Sequence, residues 1–122
     1  MWKWLADRYK DWDWIAGYEI MSEPRTKITP DWQVAQFFSE AIAAIRTKDK
    51  ETPCVIGPAP YYKIWKLNKN YLMKDPKVIY TFDFFLPNDY VMNKENTSYP
   101  AKYACDDIFA GWTSYFCPNN KN

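Results

Sequence analysis

Three short apolar runs, separated by segments with helical spacing, constrain the fold of this chain more than any other feature. We place strands at residues 14–21, at residues 53–57 and from residue 77 to 84 or 85. Strands that alternate with crossover helices are expected to pair in parallel, and nearly continuous apolar character indicates a sheet covered on both faces. Three strands alone leave open edges. The sequence therefore predicts an α/β fold that is part of a larger sheet.

The helical segments differ in the strength of their pattern. The clearest one follows Thr29, which is placed as the N-cap, and Pro30, which is placed at the first helical position. A weaker helix is predicted over 63–74, and a short one over 105–112. Apolar residues recur on one face at Trp2, Leu5, Ala6 and Tyr9 in a first helix, and at Val34, Phe37, Phe38, Ala41, Ile42 and Ile45 in the clearest one.

Composition limits the classes of function. The net charge is +1, from 16 basic and 15 acidic residues, so neither a nucleic-acid partner nor an anionic membrane surface is indicated. No apolar run approaches the roughly 18 residues of a membrane span. Aromatic residues make up 20% of the chain, which suits core packing, a surface that stacks on sugars, or both.

The cysteine and histidine content limits the catalytic groups and metal sites that the chain could contain. Cys54, Cys105 and Cys117 show no metal-ligand spacing, so no metal or organic cofactor is implied. Cys105 and Cys117 are close enough in sequence for a disulfide in a secreted protein, whereas Cys54 is expected to be a buried thiol. Histidine is absent, which excludes a Ser-His or Cys-His nucleophile pair within the chain. Carboxylates are the remaining candidates for acid–base groups.

One carboxylate ends the first predicted strand. Glu23 is followed by Pro24, which lacks a backbone donor, so the strand ladder should stop there. The carboxyl ends of strands carry the active sites of parallel α/β barrels. Glu19 lies on the same face four residues earlier, where we expect a structural ion pair whose partner could lie on a strand outside this sequence. A charged residue that merely begins a loop is the alternative interpretation of Glu23.

The order and spacing of the motifs resemble glycoside hydrolase family 5, the cellulase-type (β/α)8 barrels. Residues 4–24, which end in Met-Ser-Glu-Pro, are similar to the third helix and the fourth strand, which usually ends Asn-Glu-Pro. Residues 37–57 resemble the fourth helix and fifth strand, and 78–87 the sixth strand. Tyr99-Pro100 resembles the Tyr-Pro-Gly of the next loop. The resemblance implies that residues 1–122 are an incomplete (β/α)8 barrel domain.

The resemblance also implies a reaction. Glu23 would be the acid/base of a retaining hydrolase that cleaves a β-linked polysaccharide such as a β-glucan. Such enzymes need a second carboxyl group about 5–5.5 Å away, which the family places on its seventh strand. Glu40, Glu51 and Glu95 do not follow an apolar strand, so we expect the nucleophile outside this sequence and no activity from the segment alone. A non-catalytic carbohydrate-binding protein is the alternative, and secretion is implied by the family only.

Several residues depart from the family pattern around the expected substrate. Ser22 stands where an Asn usually hydrogen-bonds the sugar 2-hydroxyl. Asp83 and Phe85 stand where the family has His and Tyr at the end of the sixth strand. Asp83 is expected to contact a sugar hydroxyl or to alter the proton affinity of Glu23.

An aromatic pair follows the second predicted strand, on the same rim as the candidate acid. Tyr61 and Tyr62 could stack on sugar or pack within the loop. Arg25, just beyond Glu23, could contact the substrate or form a structural pair, and structural pairing is the favoured interpretation. The candidate substrate contacts are therefore Ser22, Tyr61, Asp83 and Phe85.

Overall fold

A three-stranded parallel sheet lies at the centre of the computed structural model, which describes residues 1–25 and 29–85. The strand order is β1-β2-β3, so the predicted parallel α/β arrangement is confirmed. The chain divides into two units, residues 1–83 and residues 84–122, and the sheet belongs to the first. In chain order the elements are α1 (Trp2–Tyr9), β1 (Tyr18–Glu19), α2 (Asp31–Arg46), β2 (Cys54–Ile56) and β3 (Val78–Tyr80).

All three strands are shorter than the apolar runs that contain them. The first run was predicted to be a strand from residue 14, but the N–H of Ile15 donates to the Trp12 carbonyl at 3.1 Å, within a turn. Ladder bonding begins at Tyr18, whose N–H donates to the Pro53 carbonyl at 2.9 Å. The third run leaves the regular ladder after Tyr80 and then forms one isolated bridge, between Asp83 and Lys63. Apolar character therefore marked where the strands lie but not where their pairing begins and ends.

Helix α2 supplies the largest buried face. Its buried residues match the predicted stripe except at one position, since Phe37 is 42% exposed and Ala35 is buried instead. At about 100° per residue, Phe37 lies roughly 100° from the centre of the buried stripe. The helix also begins one residue later than predicted, with Pro30 as the N-cap and Asp31 as the first helical residue.

The predicted helix over 63–74 is wrong. Two single turns of 3-10 helix, Ile64–Lys66 and Lys69–Tyr71, occupy the segment. Of the residues in these two turns only Tyr71 is buried, so no continuous apolar face holds a longer helix against the core. The Asn68 side chain accepts the N–H of Asn70 at 2.9 Å, and such local bonds compete with helical ones.

A buried carboxylate ties the beginning of β1 to the turn before β2. Asp49 is 4% exposed and accepts the Tyr18 hydroxyl at 2.9 Å. Its other oxygen accepts the N–H groups of Glu51 and Thr52, both at 2.9 Å. Burial acts to raise the pKa of Asp49, but the hydrogen bonds from Thr52, Glu51 and Tyr18 outweigh it and lower the pKa to about 2. The Tyr18 hydroxyl and the two backbone N–H groups stabilise this buried charge by donating hydrogen bonds to it.

A second polar connection joins the end of α2 to the segment before β3. The Arg46 guanidinium binds both carboxylate oxygens of Asp75, at 2.7 and 3.2 Å. It also donates to the backbone carbonyls of Thr52 and Asp49, at 2.9 and 3.1 Å. Cys54 in β2 is fully buried, which confirms its predicted status as a buried thiol.

Several sequence-based expectations lie outside the described residues. They concern Glu95, Tyr99-Pro100, the helix over 105–112, and the disulfide between Cys105 and Cys117. Within residues 1–25 and 29–85, no helix is long and apolar enough to cross a membrane.

Candidate active site

The site begins where β1 leaves the sheet. The last ladder bond runs from the Ile20 N–H to the Val55 carbonyl at 3.1 Å. Beyond it, Ser22 is exposed, Glu23 is half-buried and Pro24 is buried. The structure therefore places Glu23 just past the carboxyl end of a parallel strand, as predicted.

The backbone at the site adopts conformations that side-chain-bearing residues rarely occupy. Glu23 has φ 42°, and Tyr61 and Tyr62 have φ 57° and 50°. Each such residue costs of order 1–3 kcal/mol, and residues of this kind cluster at functional sites. The two left-handed segments are in contact, because the Tyr61 N–H donates to the Pro24 carbonyl at 3.1 Å. All the left-handed non-glycine residues of the described chain thus lie in two touching loops.

Asp83 lies near Glu23, although it follows β3, at the opposite edge of the sheet from β1. It forms a bridge with Lys63, and its N–H donates to the Tyr62 carbonyl at 2.8 Å. Its carboxyl group lies within hydrogen-bonding reach of that of Glu23. The pKa of Glu23 is raised, first by hydrogen bonding with Asp83, then by burial and by the charge of Asp83, while Arg25 opposes the rise. Of the two roles predicted for Asp83, the structure provides the contact that the second one requires.

Tyr62 forms the floor between these loops. Its ring packs on Gly57 so closely that a Cβ there would lie 2.5 Å from a ring carbon. Its hydroxyl donates to the Met21 carbonyl and lies within hydrogen-bonding reach of Glu19. Burial, followed by the charge of Glu19, raises the pKa of Tyr62. Tyr62 is 2% exposed, so it packs within the loop and does not stack on a ligand.

The ion pair predicted for Glu19 stays a prediction. Glu19 is exposed in the described unit, and its neighbour there is the Tyr62 hydroxyl. The alternation of β1 explains the exposure, since Tyr18 and Ile20 turn toward the core and Glu19 turns away.

Tyr61 occupies the rim rather than the floor. It is half-buried, and two cations lie over its ring: the Arg25 guanidinium at 5.9 Å and the Lys63 ammonium at 5.7 Å from the centroid. These distances fit cation–π attraction. Arg25 therefore pairs with a ring as well as acting on Glu23, and nothing in the sequence marked Lys63 as a neighbour of this ring.

The other two candidate substrate contacts, Ser22 and Phe85, are exposed side chains. Ser22 is exposed beside Glu23, and Phe85 is exposed in the unit of residues 84–122. Substrate contact by Ser22, Tyr61, Asp83 and Phe85 stays a prediction. In the described part of the chain, no group of three carboxylate or cysteine side chains is arranged to hold a metal ion.

Comparisons with known proteins agree with this geometry. An endoglucanase Cel5A from the hyperthermophile Thermotoga maritima is 28% identical, with a TM-score of 0.66 over 94% of this chain and 39% of that protein. The same enzyme in complex with mannotriose is 27% identical, with a TM-score of 0.69 and the same coverage. The cellulose synthase subunit Z of Clostridioides difficile is 28% identical, with a TM-score of 0.67 over 73% of this chain and 29% of that protein. No curated protein sequence matched.

The chain thus spans less than half the length of these solved structures, and its three strands are part of a (β/α)8 barrel. The model of the cellulase family, glycosyl hydrolase family 5, matches residues 1–122. The match covers the whole sequence, with Glu23 at the end of a barrel strand. The chain therefore belongs to glycosyl hydrolase family 5.

Proposed function

We propose that this chain supplies the acid/base half of the active site of a retaining glycoside hydrolase that acts on a β-linked polysaccharide. The observation that carries the proposal is a half-buried carboxyl group, Glu23, at the carboxyl end of a barrel strand with its pKa raised. A raised pKa keeps a carboxylic acid protonated to higher pH than usual, which favours proton donation to a leaving group. The Thermotoga enzyme has been solved with cellobiose and with mannotriose, so we propose a β-glucan or a related β-linked polysaccharide as substrate.

Glu23 would act twice in this reaction. In the first step it gives its proton to the glycosidic oxygen while that oxygen leaves the anomeric carbon, which a carboxylate nucleophile attacks. In the second step its carboxylate takes a proton from the water that hydrolyses the glycosyl-enzyme ester. The proton balance of Glu23 is restored at the end of each cycle.

The nucleophile is proposed to lie outside residues 1–122. Glu40 is on the exposed side of α2, where it accepts a hydrogen bond from Gln36 at 2.9 Å. Glu51 lies before β2 and pairs with Lys77. Neither carboxylate is at the end of the sheet where Glu23 lies, so neither can reach the opposite face of a sugar held there.

The test uses the full-length product of the gene. Glu23→Ala should lower kcat/KM about 10²–10⁴-fold on a polysaccharide, because the leaving alkoxide then departs without a proton. The loss should be much smaller on an activated aryl glycoside, whose leaving group needs little acid assistance. The matched control is Asp13→Asn, an exposed carboxylate in the turn after α1. Equal losses on both substrates would contradict the acid role, and saturable sugar binding without turnover by the wild type would favour the carbohydrate-binding alternative.

The isolated 122-residue chain provides a second test. We expect it neither to fold robustly nor to hydrolyse a β-glucan, because β1 and β3 are edge strands of the described sheet and the nucleophile is proposed to be elsewhere. Turnover by the purified chain that disappears in Glu23→Gln would refute this expectation. We also propose secretion, in keeping with a polymeric substrate, and recovery of the natural protein from the culture medium would test it.

A further inference from the structure

The two carboxyl groups of the site touch each other. The carboxyl groups of Glu23 and Asp83 lie within hydrogen-bonding reach of each other, although β1 and β3 lie on opposite sides of β2. A carboxyl–carboxyl hydrogen bond needs a proton on one partner, because two carboxylates offer only acceptors. The contact therefore exists in the singly protonated pair and is lost when both groups ionise.

The backbone fixes this contact from both sides. Asp83 is held by its bridge to Lys63 and by its N–H bond to the Tyr62 carbonyl. Glu23 is held by its left-handed backbone and by the bond from Tyr61 to the next residue, Pro24. The meeting of the two side chains thus follows from the same pair of loops that forms the floor and the rim of the site.

We propose that Asp83 is a positioning residue that shares one proton with Glu23 and thereby holds Glu23 in the acid form that glycosidic cleavage requires. The inference rests on the proposed acid/base function of Glu23 and extends it to a second residue. The same pairing serves the second step, since a carboxylate forced next to another carboxylate takes up a proton more readily. The charge of Asp83 therefore favours protonated Glu23 before cleavage and the return of its proton in the second step.

Asp83 cannot itself be the retaining nucleophile in this arrangement. The anomeric carbon has to lie between the acid and the nucleophile, whose carboxyl groups are about 5–5.5 Å apart in retaining enzymes. Two carboxyl groups in direct hydrogen-bond contact leave no space for that carbon. The nucleophile is still required from elsewhere.

The charges around the pair act in opposing directions. Asp83 and partial burial raise the pKa of Glu23, and the Arg25 guanidinium lowers it. Lys63 is adjacent in the bridge, but its ammonium lies over the rings of Tyr61 and Trp65, at 5.7 and 5.4 Å. The other charge near the floor is Glu19, which faces the neutral Tyr62 hydroxyl. Because the largest contribution comes from Asp83, its replacement should lower the pKa of Glu23 toward its ordinary value.

The experiment measures the protonation of Glu23 in the full-length protein, first by titration and then through the pH dependence of catalysis. Glutamate labelled with ¹³C at the side-chain carboxyl gives the titration midpoint of Glu23 in the wild type, in Asp83→Asn and in Asp13→Asn. The pH profile of kcat/KM on an unactivated β-glucan oligosaccharide is recorded for the same proteins. Activity that requires protonated Glu23 falls as pH rises through the pKa of Glu23.

We expect Asp83→Asn to move both the Glu23 midpoint and the alkaline limb of the profile to lower pH, and Asp13→Asn to move neither. Asp83→Glu should restore part of the shift, because it returns the charge. An unchanged midpoint in a folded Asp83→Asn protein would overturn the inference. If that variant does not fold, the wild type decides: the Glu23 carbon should report two coupled protonation steps, and a single independent step would overturn the inference.

The experiments distinguish a failure of the proposed function from a failure of this inference. If Glu23→Ala retains full activity on poor leaving groups, Glu23 is not the acid, whatever the titration shows. If Glu23→Ala loses activity while Asp83→Asn leaves the midpoint in place, Glu23 is the acid and Asp83 does not share its proton.

Discussion

The buried Asp49 network provides the most quantitative stability prediction. The ordinary pKa of this carboxyl is 3.8 and its folded value is about 2. One unit of pKa corresponds to about 1.4 kcal/mol, so ionised Asp49 contributes about 2 kcal/mol to the free energy of unfolding. The folded pKa is lowered, so this contribution is complete above pH 3.8 and is lost as pH falls toward 2.

Replacing Asp49 with Asn should therefore lower the free energy of unfolding by about 2 kcal/mol at pH 7. The amide keeps an oxygen for the Glu51 and Thr52 N–H groups, but it places an NH₂ donor against the Tyr18 hydroxyl. Urea unfolding of the full-length protein, followed by tryptophan fluorescence, measures the difference from the wild type. That difference should shrink as the pH falls from 4 to 2.

Two further variants make the stability prediction specific. Asp13→Asn, at an exposed position, should change the free energy of unfolding by less than about 0.5 kcal/mol. Tyr18→Phe should be costly beside Asp49 and nearly neutral in the Asp49→Asn background, because the charged acceptor is then gone. A loss in Asp49→Asn that is the same at pH 7 and near pH 2, or additive costs in the double variant, would refute the argument.

Three other perturbations follow from contacts in the described residues. Gly57→Ala should destabilise the protein by about 1–3 kcal/mol and reduce glucan turnover, because the new methyl group displaces the Tyr62 ring from the site floor; thermal unfolding and kcat/KM check it, and unchanged activity would contradict it. Arg46→Ala should cost about 3 kcal/mol by leaving Asp75 without its ion-pair partner, which urea unfolding measures against the smaller loss expected for Arg46→Lys. Cys54 should resist iodoacetamide in the folded protein, since it is fully buried and burial raises its pKa; rapid labelling of this thiol under native conditions would show the packing of β2 to be wrong.

The sequence by itself determined the parallel α/β arrangement and the position of the catalytic candidate. Both are local consequences of the chain: the apolar stripe of α2 has a 3.6-residue period, and Pro24 ends pairing directly after Glu23. The same local reasoning failed where a pattern was weak. It placed a helix over 63–74, where the described chain has only two short turns because most of the apolar side chains stay exposed.

Only the tertiary structure decided how the site is composed. Tyr61 and Tyr62 are identical neighbours in the sequence, yet one lies on the rim and the other on the floor. The difference follows from their left-handed backbone and from Gly57, whose missing side chain leaves room for the Tyr62 ring. Likewise, Glu23 and Asp83 are 60 positions apart, and their contact depends on where two loops cross the end of the sheet. Local periodicity specifies which face a residue takes, whereas the sharing of a proton depends on distances that only the folded chain defines.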